Sequence, residues 1–216
     1  ACRRDGAERG DEHRADRSTG CAGPSAGGEE RRGSFGSPVF RYARAVERRT
    51  VWLVGMMGSG KTTVGRELAL RMGRRFVDTD AELERAAGAT VAEIFAREWE
   101  AGFRARERAL LEALAGSSAV VSLGGGAVAQ PGAAERLAAT GTIVYLRARP
   151  ETLVGRVGEG EERPLLRGLD ETGRLARLRD LLAERALHYE RATVVIDTDE
   201  AAPDVLADRL AQRLGG

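Results

Sequence analysis

The stretch TVWLVGMMGSGKTTVGRELALRM, residues 50–72, decides the fold. Its first five residues are apolar or β-branched and read as a buried strand, 50–54. The next eight, Gly55-Met56-Met57-Gly58-Ser59-Gly60-Lys61-Thr62, fit G-x-x-x-x-G-K-[ST] at every fixed position. A helical pattern over 63–72 completes a strand–loop–helix unit. Glycines let backbone N–H groups approach phosphate oxygens with no Cβ in the way. The loop opens a helix whose N-terminus favours anions. Lys61 is placed to reach the β- and γ-phosphates of a nucleotide, and the Thr62 hydroxyl to ligate Mg²⁺.

Composition sharpens that reading. Of 34 basic residues, 33 are arginine and one is lysine, and asparagine is absent. With usage biased so far towards Arg, lysine is expected only where a guanidinium cannot replace an ammonium. The single lysine is Lys61, at the one position of the motif that demands it.

Working outward, strand patterns at 75–77, 119–123, 142–146 and 193–196 alternate with helical patterns. The helices fall at 81–87, 91–97, 103–115, 131–139, 150–157, 172–191 and 203–214. Strands alternating with helices predict an α/β architecture: about five parallel strands with helices on both faces, in three layers. A polar, Gly-bounded segment, 158–168, is expected to form a mobile lid. Residues 1–46 mix Arg, Asp, Glu, Gly and Ser, have too little apolar content to pack, and lack the apolar core of a secretory signal. The folded domain is expected over 47–216.

The chain has 216 residues and a net charge of +1. That balance points to no nucleic-acid or membrane partner. Cys2 and Cys21 both lie in the polar N-terminal stretch and do not read as a disulfide framework, so a reducing cytoplasm is the simplest expectation.

The loop alone implies nucleotide binding and leaves the acceptor open. Asp78-Thr79-Asp80 ends the second strand, at the sheet edge where ligands bind. Two carboxylates one residue apart on a strand would point the same way, but Asp80 could equally cap the next helix. Phe95 and Phe103 are consistent with ordinary core, and Arg104 with Glu107 with an exposed i,i+3 pair. Gly124-Gly125-Gly126 after a strand is either a flexible turn or a close approach of backbone to a ligand.

Taken together, the strings GMMGSGKTTVGRELA, FVDTD, EIF, FRARE, SLGGGAV and RPLL resemble the shikimate kinase family, a group of P-loop metabolite kinases, in order and spacing over about residues 50–214. The resemblance implies MgATP-dependent phosphorylation of shikimate to shikimate 3-phosphate by a monomer. It implies nucleotide contacts from Gly58, Ser59, Gly60, Lys61, Thr62, Thr63, Arg156 and Arg163. Thr62 would hold Mg²⁺, with Asp78 in the metal's outer shell. Asp80 would bind the acceptor hydroxyl as general base, and Lys61 and Arg163 would act on the transferring phosphate. Arg104 and Arg185 would take the shikimate carboxylate, Gly124, Gly125 and Gly126 would shape the pocket, and Phe95 and Phe103 would line it. Glu107 would buttress Arg104.

The chain departs from the family pattern twice. Trp99-Glu100 stands where Gly-Glu is usual, and Ala186 stands where a proline normally follows Arg185 in the run to Tyr189. Kinases of other polyhydroxy acids, such as gluconate, are not expected to combine FVDTD, GGG and RPLL. A catalytically dead, partner-binding relative would show damage at Lys61, Asp80, Arg104 or Arg163, and none is seen.

Overall fold

The computed structural model describes residues 49–160 and 163–215. The expectation for residues 1–46 lies outside the described residues. Five parallel strands form one sheet in the order β2-β3-β1-β4-β5. They are β1 (Thr50–Val54), β2 (Phe76–Asp78), β3 (Val120–Ser122), β4 (Gly141–Arg147) and β5 (Val194–Asp197). Among the described residues seven α-helices flank them: α1 (Lys61–Arg71), α2 (Thr79–Ala87), α3 (Val91–Leu114), α4 (Ala133–Thr140), α5 (Pro150–Val157), α6 (Glu171–Tyr189) and α7 (Pro203–Gly215).

β1 is central and buried along its whole length, which is why it reads as an unbroken apolar run rather than an alternating one. Its side chains still alternate between two cores. Val51 and Leu53 pack with Val64 and Leu68 of α1 and with Leu206, Leu210 and Leu214 of α7. Trp52 and Val54 pack on the other face with Leu114, Leu153, Leu178 and Tyr189. These are the helical layers expected on both sides of the sheet. A third, small cluster of Leu83, Ile94 and Phe103 joins α2 to α3 as a lobe beside the sheet.

Three differences from the sequence expectations bear on the site. First, Asp80 is not on a strand beside Asp78. β2 ends at Asp78, whose carboxylate accepts hydrogen bonds from the N–H groups of Asp80 and Ala81 and so caps α2. The helix starts two residues early because an aspartate at the N-cap satisfies otherwise orphaned donors. The cap is therefore Asp78, which leaves Asp80 in the first helical turn with its carboxylate uncommitted to capping.

Second, the helices expected at 91–97 and 103–115 run on as α3, broken at Trp99, whose backbone is non-helical at φ 58, ψ 177. Glycine occupies such conformations freely and a tryptophan does not. The Glu98 carboxylate grips Arg106 with two hydrogen bonds of 2.6 and 2.7 Å across the break.

Third, the polar segment expected to be a mobile lid has an apolar anchor. Leu166 is fully buried in the core shared by α5 and α6. Arg174 of α6 donates to the carbonyls of Glu159 and Leu169, at either end of the segment. Glu161 and Glu162 lie outside the described residues.

Candidate active site

The chain order reverses at β1: β3 lies on one side of it and β4 on the other. A crevice opens beyond the carboxyl ends of strands at such a point. The loops after β1 and β3 are neighbours there, joined by the Leu123 N–H donating to Leu53 O at 3.0 Å.

The loop after β1 turns on Gly58 and Gly60, both left-handed at φ 79 and φ 91. Gly60 is the N-cap of α1, and no side chain caps that helix or places an acid in its first turn. The first-turn N–H groups therefore keep their capacity for an external anion. Lys61 donates to the Gly55 and Met56 carbonyl oxygens at 2.9 and 3.0 Å, folding back over the loop. Burial pushes its pKa down to about 8, against the nearby charges of Asp80 and Asp78, which raise it.

Thr62 donates its hydroxyl proton to Asp78 Oδ2 at 2.9 Å. This is a pair of hard oxygen donors beside the phosphate loop. Mg²⁺ is commonly held by one or two such groups, with water and nucleotide phosphates completing the shell. Among the described residues there is no larger cluster of His, Cys, Asp and Glu suited to a metal, so a fit to Mg²⁺ rests on this pair together with the nucleotide.

The glycine triplet after β3 faces three different side chains, and a Cβ on any of its members would crowd one of them. On Gly124 it would lie 2.7 Å from Asp80 Oδ1. On Gly125 it would lie 3.1 Å from Arg185 Nη1, and on Gly126 3.0 Å from Arg104 Nη2. The triplet is crowded by these side chains, and the approach of its backbone to a ligand belongs to the function proposed below. Asp80, Arg104 and Arg185 thus converge on one short backbone segment from α2, α3 and α6.

Each is held differently. Burial, together with the neighbouring Asp78, raises the Asp80 pKa above the usual carboxylate value, and Lys61 opposes the shift. Arg104 donates to Glu107 Oε2 at 2.8 Å. Glu107 is 3% exposed, and its own pKa is raised by burial and pulled back by Arg104. The pair is therefore a buried one, not the exposed helical pair that spacing alone allowed. Phe95 and Phe103 stack with centroids 4.3 Å apart, and the Arg104 guanidinium lies 5.3 Å from the Phe103 ring centre. Arg185 reaches Met56 Sδ at 3.8 Å, so it bridges from α6 towards the phosphate loop. α6 is continuous through Ala186 to Tyr189, so the departure from the family pattern at Ala186 does not break the helix that carries Arg185.

Arg163 sits in a turn closed by its N–H to Gly160 O at 2.8 Å. It is exposed, and its charge lowers the pKa values of both Lys61 and Asp80. Arg156 donates to the Thr198 hydroxyl at 2.9 Å and to the Thr198 carbonyl, at the carboxyl end of β5. Ser59 is buried, with its hydroxyl unpartnered among the described residues, and Thr63 is exposed in the first turn of α1.

Two residues of this constellation were not singled out from the sequence. Buried Thr79 accepts a hydrogen bond from the Gly124 N–H at 3.1 Å. Tyr189, fully buried and stacked on Tyr145, donates to the Gly125 carbonyl at 2.8 Å. The signals were present: Thr79 lies between two aspartates, and Tyr189 is one helical turn beyond Arg185.

Known proteins resemble this chain throughout its folded part. A family model described as shikimate kinase matches residues 57–215. A shikimate kinase of Symbiobacterium thermophilum is 50% identical over 160 residues, covering 72% of this chain and 91% of that protein. One of Halorhodospira halophila is 44% identical over 168 residues, covering 77% and 93%. Among solved structures, the shikimate kinase of Acinetobacter baumannii in complex with shikimate superposes with a TM-score of 0.71 at 40% identity, covering 80% of this chain and 96% of that one.

Proposed function

The chain belongs to the shikimate kinase family, and from that premise we propose that it transfers the γ-phosphoryl group of ATP to a hydroxyl of shikimate with the residues placed above. The observation that carries the proposal is the glycine triplet, whose three members clear Asp80, Arg185 and Arg104 beside the phosphate loop. One carboxylate and two guanidinium groups suit an acceptor that carries a hydroxyl to be activated and a carboxylate to be gripped.

Phosphoryl transfer asks a protein chiefly for positioning and charge stabilisation. Lys61 and the first-turn N–H groups of α1 bind the phosphates. Mg²⁺, with the Thr62 hydroxyl and the Asp78 carboxylate as its protein partners, would neutralise charge on the β- and γ-phosphates. Asp80 accepts the proton of the acceptor hydroxyl; its raised pKa makes it a stronger base than an exposed aspartate. Arg104, fixed by Glu107, and Arg185 take the substrate carboxylate, and the Phe95–Phe103 stack lies against the apolar ring. Arg156 takes the adenine. Residues 158–168 close over both ligands, excluding water and bringing Arg163 to the phosphate in transit. A monomer acting in the cytoplasm belongs to the same proposal.

The test is ADP release by the purified protein with shikimate, quinate, gluconate and nucleoside monophosphates in turn. Shikimate should be the preferred acceptor by a wide margin. Faster turnover with gluconate or a nucleotide would overturn the assignment.

A further inference from the structure

A cavity of about 230 Å³ lies between the C-terminal half of α3 and α4, behind the substrate site. One stripe of α3, Arg104, Arg108 and Leu111, with Ala115 just past the helix end, faces Arg136 and Leu137 of α4 across it. Neither Asp80, nor the glycine triplet, nor Arg185 lines it; it shares only Arg104 and Glu107 with the site described above. The space exists because alanines at 115, 127, 133 and 139 face just two leucines, and close-packed interiors hold few voids of this size.

Its chemistry is specific. The floor is apolar. At the rim, Arg108 on α3 and Arg136 on α4 are exposed, and neither has a salt-bridge partner among the described residues. The carboxylates present are Glu107, already committed to Arg104 at 2.8 Å, and Glu112, exposed at the edge. An apolar slot between two uncommitted guanidinium groups complements a flat apolar body carrying one carboxylate. The volume is below the ~300–1,000 Å³ typical of drug-sized ligands, so the occupant is a small one.

We propose that this cavity is a regulatory site for a small aromatic or aliphatic monocarboxylate, antagonistic to the acceptor substrate. The coupling is physical, since the inner wall of the cavity is the Arg104–Glu107 ion pair. An occupant whose carboxylate is held at the rim by Arg108 and Arg136 seats its apolar body against that pair and displaces Arg104 from the position the acceptor carboxylate needs, and by linkage the acceptor weakens the occupant equally. The antagonism, although not the binding, rests on the function proposed above.

The test uses the full chain and 3-phenylpropanoate as probe, with 3-phenylpropanamide as its neutral counterpart. Calorimetry without substrates should show saturable binding of the acid and much weaker binding of the amide. The acid should raise the shikimate KM by about fivefold, within the usual range of coupling between sites, with kcat unchanged. The double variant Arg108→Gln/Arg136→Gln, both positions exposed, should lose binding and inhibition while keeping its own shikimate KM. Ala139→Leu, which narrows the cavity, should do the same. Absence of binding, equal binding of the amide, or inhibition that survives in the double variant, as for a probe sitting in the acceptor site, would each overturn the proposal. Failure of the kinase reading is separately visible, as absence of shikimate-dependent ADP release in the unmodified enzyme.

Discussion

The Tyr189 hydroxyl donates a 2.8 Å hydrogen bond to the carbonyl oxygen of Gly125. That carbonyl shares a peptide plane with the Gly126 N–H, so the tyrosine orients the donor of the last glycine in the triplet that Asp80, Arg104 and Arg185 surround. The ring is locked by its stack on Tyr145, with centroids 4.9 Å apart. Tyr189→Phe keeps the ring and removes only the hydroxyl. One neutral hydrogen bond contributes about 1 kcal/mol to stability, so the melting temperature should fall by a few degrees, and a peptide freed to turn should raise the shikimate KM by up to about fivefold with the ATP KM nearly unchanged. Equal changes in both KM values, measured by steady-state kinetics, would mean that the hydroxyl serves the fold and not the acceptor pocket.

Desolvation of the partly buried Lys61 ammonium pushes its pKa down to about 8. A bound phosphate favours the charged amine and raises its pKa. At pH 8 about half of the free enzyme carries the proton, so nucleotide binding should take up roughly half a proton. Calorimetry in buffers of different ionisation enthalpy measures this directly. The same shift makes the folded chain release the Lys61 proton before the unfolded chain does, between about pH 8 and the ordinary 10.5. The contribution of Lys61 to stability therefore improves as pH rises through that window. Lys61→Arg should be badly impaired in turnover, since a fork does not replace a point charge here.

Asp80→Asn should lower kcat by roughly 10²–10⁴ if Asp80 is the general base. Its effect on stability has the opposite sign. The folded-state pKa is raised, so ionising Asp80 weakens the fold as pH climbs from the ordinary carboxylate value through the folded one. The variant should match or exceed the parent in melting temperature at neutral pH, and the difference should vanish in acid. A variant that melts early and keeps its kcat would show a structural role instead.

Trp99 holds φ 58, ψ 177 with its side chain 76% exposed. Such a conformation costs a non-glycine residue about 1–3 kcal/mol, of which the extra unfolded-state freedom of glycine returns roughly 1. Trp99→Gly should therefore raise the melting temperature by a few degrees, with shikimate turnover retained. A lower melting temperature would show that the indole makes contacts that outweigh the strain.

Arg163→Ala should reduce kcat strongly while leaving nucleotide affinity nearly intact, because an interaction formed on closure acts on the transition state more than on ground-state binding. Exchange of the amide hydrogens in 158–168 should slow when ADP and shikimate bind together. Buried Leu166 should be among the best protected amides of the segment before either ligand is added. Wild-type turnover in the variant, with exchange that ignores ligands, would remove Arg163 and the lid from the mechanism.

The phosphate loop was legible from residues 50–62 because strand, turn and helix start are local: each fixed position acts on neighbours a few residues away. The alternation of five strands with helices was legible for the same reason, since periodicity is a property of each segment. Asp78 and Asp80 show where this ends. Both were visible as acids, but which one caps α2 depends on where β2 stops, and sheet pairing decides that. The glycine triplet was visible as a string. That Gly124, Gly125 and Gly126 each clear a different side chain follows only from packing α2, α3 and α6 around the end of β3. Tyr189, the strain at Trp99 and the cavity behind Arg104 likewise belong to the tertiary structure, because they join residues that are distant in the chain or, at Trp99, set a backbone angle that no local preference would choose.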